Sequence, residues 1–214
     1  MNRTTLFALS VSMTFSVAVL AQEQKPPVAD LAKVERAEPK VGNTWTYAVL
    51  DPLSRAQTSE FVVTTMSIDD SQIKTEVKTS SGSTGISITD RDGRVIADTQ
   101  RAYTPPKQTY SYPLEVGKKW EYSTTFPYPA CGTSRIDIKA EVVGWETVTV
   151  PAGTYRALRV DHSGYWNNCY GSDRHTEKYW YVPALKADVK VEIVWGTRGG
   201  TGGNAYELKS AKVE

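Results

Sequence analysis

The chain has 214 residues, with 25 Lys and Arg against 24 Asp and Glu, two Cys and 40% hydrophobic residues. That length suits one well-cored domain or two small ones. The charge balance excludes a nucleic-acid or acidic-surface footprint, which needs a surplus of Lys and Arg. Beyond residue 20 no apolar run is long enough to cross a bilayer as a helix. Twelve Tyr and six Trp among many Val and Thr favour β structure.

Residues 1–21 read as a secretory signal peptide. Arg3 supplies the positive start, Leu6 to Leu20 the apolar stretch, and small residues ending at Ala21 fit cleavage before Gln22. No basic stop sequence follows, and no Cys stands at the junction to take a lipid. The mature chain is expected to be exported, to the periplasm in the first instance and outside the cell as the alternative. Residues 22–40 are polar, carry three prolines and read as a flexible tether. Within it Val28, Leu31, Ala32 and Val34 are spaced for one short helix.

From Gly42 the pattern changes to short alternating runs. Strands are predicted at 44–49, 58–68, 72–79, 85–89 and 94–98, separated by turn-forming clusters such as Asp69-Asp70-Ser71 and Asp90-Arg91-Asp92-Gly93. Residues 102–113 hold three prolines without N–H donors and read as a long connection. Further strands are predicted at 119–126, 134–150, 154–163, 174–182, 188–195 and 205–213, with 163–173 as a Gly- and Asn-rich insertion. The fold class is all-β and mainly antiparallel: a curved sheet, half-barrel or sandwich formed by a single domain over 41–214. Val41-Gly42-Asn43-Thr44-Trp45-Thr46-Tyr47 recurs as Val116-Gly117-Lys118-Lys119-Trp120-Glu121-Tyr122. The repeat suggests two similar halves, 41–101 and 114–214.

In an oxidising compartment the lone pair Cys131 and Cys169 is most simply a disulfide, and there is no C-x-x-C to make it redox-active. A hairpin turning at Pro151-Ala152-Gly153 brings the two within about four residues of facing positions, a mismatch a bulge absorbs. Closing that loop stabilises the fold by about 4 kcal/mol on chain-entropy grounds.

Glu146-x-Val148-x-Val150-Pro151-Ala152-Gly153-x-Tyr155-x-Ala157, then Tyr179-Trp180-Tyr181-Val182-Pro183, then Tyr206-Glu207-Leu208 form an ordered set. This set is similar to that of a broad group of exported bacterial β-rich proteins of unknown function. The resemblance covers residues 113–213 and implies a fold near the LolA/LolB-like half-barrels, a curved antiparallel sheet around an apolar concavity. The chain departs from the group at Ala184, Leu185 and Lys186, where glycines are usual, and in the stretch around Cys169. The shared residues are turn and core residues, so no catalytic role comes with the resemblance.

Candidate chemistry is sparse. His162 lies between Asp161 and Ser163, but consecutive strand residues face opposite ways, so Asp161 cannot orient its ring. No Gly-x-Ser-x-Gly elbow presents a nucleophile. Asp173, His175 and Glu177 share one strand face and have the chemistry of a divalent-metal set. Their spacing along a strand, about 7 Å, is too wide for one ion, and interleaved Arg174 and Lys178 suggest a solvated face. Asp90-Arg91-Asp92-Gly93 lacks the remaining ligands of a calcium loop. The glycine-rich 198–204 segment has no helix behind it to hold a phosphate. The Trp surplus remains. Tyr165, Trp166 and Tyr170 beside the cysteines suggest an exposed recognition platform, and Trp45, Trp120 and Trp180 a ligand-facing interior.

These readings point to an exported, non-enzymatic β domain that needs no cofactor. It would bind an apolar or amphipathic small molecule, or an envelope protein partner, without nucleic acid and without stable membrane insertion. A carbohydrate-binding or surface-interaction module is the alternative, and a hydrolase or metal-dependent enzyme using His162 or His175 the second alternative.

Overall fold

Along residues 134–142 burial alternates strictly. Ser134, Ile136, Ile138, Ala140 and Val142 are buried, while Arg135, Asp137, Lys139 and Glu141 are more open. This period of two, written into the sequence as S-R-I-D-I-K-A-E-V, makes a strand whose one face lines a core. The computed structural model describes residues 30–197 and 200–214, and the expected leader with its Ala21/Gln22 junction lies outside them.

The strands are β1 (Thr44–Leu50), β2 (Gln57–Ile68), β3 (Gln72–Thr79), β4 (Thr84–Asp90), β5 (Val95–Ala97), β6 (Ala102–Lys107), β7 (Lys119–Tyr128), β8 (Gly132–Val150), β9 (Gly153–Asn168), β10 (Gly171–Val182), β11 (Ala187–Thr197) and β12 (Gly200–Lys212). Each pairs antiparallel with its sequence neighbours, and β1 pairs with β12, so the sheet closes into a barrel. The all-β antiparallel class holds, while the expected half-barrel is a complete ring without free edges. The one helical element among the described residues is a 3-10 turn, Pro183–Leu185.

Four expectations are corrected. No helix covers Leu31–Val34. Over its described part the expected tether is fastened to the barrel: Val34 is buried and bridges Leu114 in both directions, and Asp30 holds Arg156 at 2.6 and 2.7 Å. Strand β6 forms despite its prolines, because proline lacks a donor but keeps its carbonyl. Thr124 and Thr125 hydroxyls on β7 donate to Pro105 O (2.6 Å) and Thr104 O (2.8 Å), replacing ladder bonds. The expected insertion at 163–173 is instead the end of β9, a tight turn and the start of β10, fully paired from Ser163↔Thr176 to Asn168↔Gly171.

Both copies of the repeat open a strand in the same way. Gly42 and Gly117 each have φ of 86°, the left-handed region open to glycine. Gly42 N–H donates to Thr65 O and Thr65 N–H to Asn43 O; Gly117 N–H donates to Val142 O and Val142 N–H to Lys118 O. The next strand carries a bulge at the same place in both, Thr65/Ser67 in β2 and Val142/Gly144 in β8. The copies therefore begin β1 and β7, the first strands of two six-strand runs.

One barrel end is plugged. The tip of the β8–β9 hairpin folds across to β12, where Ala152 N–H donates to Leu208 O, and Trp45 Nε1–H donates to Leu185 O of the 3-10 turn. Val150, Ala157, Trp45, Tyr47 and Leu208 pack there. At the other end the disulfide Cys131–Cys169, with its Cα atoms 5.3 Å apart, ties the β7–β8 turn to the β9–β10 turn. The β8–β9 ladder pairs Arg135 with Asn167, so the cysteines lie just beyond its last rung, at the hairpin's far end as the turn position implied.

Candidate functional site

The inner face of β10 presents His175, Glu177 and Tyr179 in succession, 6%, 2% and 7% exposed. The interleaved Arg174, Thr176 and Lys178 face outward, so the face expected to be solvated is the barrel interior. Glu177 is the hub. Lys107 Nζ (2.7 Å) and His175 Nε2 (2.9 Å) donate to its Oε1, and the Tyr179 hydroxyl (2.6 Å) donates to Oε2, with His162 Nδ1 3.2 Å from the same oxygen. Burial opposes the charge on Glu177, but Lys107, His162 and His175 outweigh it and hold the carboxyl well below the usual range. The group is an anion that can only accept hydrogen bonds.

Two consequences concern the histidines. His162 Nε2 lies 3.0 Å from Thr109 O, which accepts only, so that nitrogen carries a proton. His175 Nε2 likewise carries its proton toward Glu177, which in a neutral ring leaves Nδ1 as a bare acceptor, and Nδ1 is buried without a partner. Asp161 takes no part; it pairs with Arg159 on the outer face, as the alternation predicts. Burial, followed by the nearby Glu177 charge, raises the Tyr122 and Tyr179 hydroxyls well above their ordinary value.

Above this cluster the ring encloses a cavity of about 550 Å³ that opens at the unplugged end. Its walls are Tyr103, Ile136, Trp166, Ile193, Trp195 and Tyr206, and its floor is Lys107, His175 and Glu177. The β5–β6 turn forms one lip. Asp98 Oδ1 accepts from Gln100 N–H and Arg101 N–H (both 2.8 Å), its Oδ2 accepts from the Tyr103 hydroxyl (2.6 Å), and Arg101 lies over the rings of Phe126 (4.6 Å) and Trp166 (5.4 Å). Gly202 on β12 makes room for one wall, since a Cβ there would lie 2.5 Å from Trp195 Nε1. Below the floor, the 108–114 connection packs into the interior, with Tyr110 against Tyr179 and Tyr181 and its hydroxyl on Asp188. Burial pushes Asp188 up to about 7, partly offset by the Tyr110 hydrogen bond.

Asp173, His175 and Glu177, which have the chemistry of a metal set but a spacing too wide for one ion, do not act together. His175 and Glu177 bond to each other, while Asp173 lines an adjoining groove with Tyr128, Tyr170 and Trp195. Among the described residues no group of three or more His, Cys, Asp or Glu is placed to hold a metal ion. The expected platform is also divided: Tyr165 faces outward at 57% exposure, Trp166 faces the cavity, and Tyr170 sits on the β9–β10 turn at 54%. Of the three expected interior tryptophans, none lines the cavity. Trp45 belongs to the plug, Trp120 donates to Gln108 O beside His162, and Trp180 lies outside the ring, its Nε1–H on Glu146 Oε2 and Lys190 over its face. Residues Lys107, Trp195 and Tyr103 complete the site and were not singled out by sequence. The inward period of two through Tyr179, Glu177 and His175, read onto the neighbouring strand, points to Trp195, which pairs with His175. A wider groove of about 670 Å³ lies on the outer wall between Glu121, Asp137, Lys139, Tyr165 and Arg174, open along its length rather than enclosed.

No protein-family model matches the chain, and no curated protein matches it. Solved structures do. A Bacteroides fragilis protein described as exported, with a YmcC-like fold, superposes with a TM-score of 0.56 over 84% of this chain and 99% of that one, at 13% identity. A Parabacteroides distasonis protein described as a lipoprotein gives 0.54 over the same shares at 12% identity. At these identities the likeness is one of fold, a YmcC-like barrel, and neither neighbour is described as LolA- or LolB-like. No helix among the described residues is long and apolar enough to cross a membrane.

Proposed function

We propose that this chain is an exported binding protein that takes a small amphipathic molecule into the open mouth of the barrel. The observation that carries the reading is the open-mouthed cavity of about 550 Å³ inside the ring, lined by aromatic and branched side chains together with polar and charged ones. Its size falls within the range of small-molecule sites, and its lining sets Tyr103, Trp166, Trp195 and Tyr206 beside Asp98, Arg101, Lys107, Glu177 and Asn204, which suits a ligand with both polar and apolar parts. The described character of the two fold neighbours as exported or lipoprotein supports the compartment.

A second reading has one observation in its favour. The His175–Glu177 pair, 2.9 Å apart at the cavity floor, has the geometry of a carboxylate-oriented general base. Binding is preferred because the hydroxyl or thiol such a base would activate is missing from Nδ1, which meets no protein group. Glu177 is moreover shared among Lys107, Tyr179 and both histidines rather than devoted to one ring.

Titration with 2-naphthol, followed by tryptophan emission, tests the site. Trp166→Ala in the cavity wall is expected to weaken binding about tenfold, while Tyr165→Ala on the outer face leaves it unchanged. Loss of binding in Tyr165→Ala with Trp166→Ala unaffected would move the site to the outer groove and favour a surface-interaction module.

A further inference from the structure

The lip of the cavity carries a cation that no acid matches. Among the described residues Arg101 forms no ion pair, whereas Lys107 on the same lining is bound to Glu177 at 2.7 Å. The lining acids are committed elsewhere: Glu177 to Lys107 and His175, and Asp98 to the Gln100 and Arg101 N–H groups and the Tyr103 hydroxyl. The Arg101 guanidinium lies over Phe126 and Trp166, 4.6 and 5.4 Å from the ring centroids, with the Tyr103 hydroxyl as a polar neighbour. Ring faces attract the charge without accepting strong hydrogen bonds, so N–H donors of the guanidinium are left for water or a ligand. The turn that carries it is braced. Asp98 N–H donates to Arg101 O at 2.9 Å, and the Thr99 methyl sits so close over Gly85 that a Cβ there would lie 2.8 Å from it. A half-buried cation held in place beforehand loses little freedom when an anion arrives.

Resting on the binding reading above, we infer that the mouth recognises an amphipathic molecule by a single carboxylate seated on Arg101. The planar guanidinium fork matches a carboxylate with parallel charge-assisted hydrogen bonds, each about twice as strong as a neutral one. The apolar body passes inward along Trp166, Ile193, Trp195 and Tyr206. One negative charge suits the mouth better than two, because Asp98 and Glu177 lie on the same lining and would repel a dianion. A cationic headgroup would find those two acids already engaged and would face Arg101 itself.

The test is a matched panel on one body, measured by calorimetry with the full mature chain at pH 7 and low salt: 2-naphthoate, 2-naphthamide, 2-naphthylmethylammonium and 2-methylnaphthalene. The inference predicts that naphthoate binds about tenfold more tightly than the amide, its neutral match in shape, and that the ammonium binds no better than the hydrocarbon. Added salt should shrink the naphthoate advantage without weakening 2-methylnaphthalene. Arg101→Gln should bring naphthoate and amide within about twofold of each other while 2-methylnaphthalene still binds. Equal affinity for naphthoate and amide in the wild type, tighter binding of the ammonium, or a naphthoate preference that survives in Arg101→Gln overturns the headgroup assignment and leaves the cavity reading standing. Failure of every compound, 2-methylnaphthalene included, overturns both. The wild-type panel decides the matter even where Arg101→Gln does not fold.

Discussion

Removing one partner of the Lys107–Glu177 pair is the sharpest probe of the barrel interior. The pair is 2.7 Å apart, with 12% and 2% of the side chains exposed, so both charges are largely withdrawn from water. Lys107→Met leaves an anion with only histidine and tyrosine donors, and Glu177→Gln leaves an ammonium facing an amide oxygen. Stranding a buried charge in this way costs about 3–5 kcal/mol. The retained hydrogen-bonding shape of Gln places that variant at the lower end. At about 2–4 °C per kcal/mol for a domain of this size, each single variant should melt about 6–12 °C or more below the wild type. The double variant removes both charges together, so its loss should fall at least about 2 kcal/mol short of the sum of the singles. Urea unfolding of the four proteins at pH 7 measures this directly. Singles within 1 kcal/mol of wild type, or strictly additive losses, would refute the claim that the pair is a desolvated unit.

Three further outcomes follow from other parts of the fold. Asp188 has its pKa raised in the folded state, so its contribution is full below the unfolded value near 3.8 and is lost as pH rises through about 7. Glu177, depressed well below 4.5, acts in the opposite sense and withdraws its support only as pH falls through its lower folded value. Asp188→Asn should therefore flatten the decline in urea midpoint between pH 5 and pH 8; an unchanged slope rejects the assignment. Opening the disulfide by Cys131→Ser with Cys169→Ser releases a loop spanning 38 residues and should cost about 4 kcal/mol, read as a lowered midpoint. A loss under 1 kcal/mol would show that the barrel's hydrogen bonds alone fix the two turns. Gly164→Ala would set a Cβ 1.8 Å from Asp137 O in the paired backbone of β8, forcing the strands apart. A cost of about 3 kcal/mol or more is expected, against near-neutrality for Gly196→Ala, whose nearest neighbour is 3.4 Å away.

Much of the fold is legible in the chain because strands announce themselves locally. The 72–79 strand matches its predicted bounds, and the long 134–150 strand differs at one end only. Closure is not local: nothing in Thr44–Leu50 or Gly200–Lys212 alone says that these strands meet. Prolines misled over 102–107, where their carbonyls, helped by hydroxyls from Thr124 and Thr125, still serve a ladder. Polar composition misled at 163–173, because a short paired tip above a barrel rim needs little apolar surface and resembles a loop. At the site, the shared face of His175 and Glu177 was readable from spacing, but not its direction. Charged neighbours suggested water, whereas Lys107, arriving from a strand far away in sequence, makes burial of the carboxylate tolerable. The tryptophans show the limit of composition: their number signals a ring-lined interior, yet which of them face the cavity depends on register and on the bulges that shift it.

Native mass spectrometry of the mature protein taken from its own host tests the central claim most directly, because a molecule seated in the mouth travels with the chain. The account predicts one added mass per chain, that of a small amphipathic compound, retained by the wild type and missing from Trp166→Ala. A spectrum holding only the bare-chain mass, or an added mass that Trp166→Ala keeps unchanged, contradicts it.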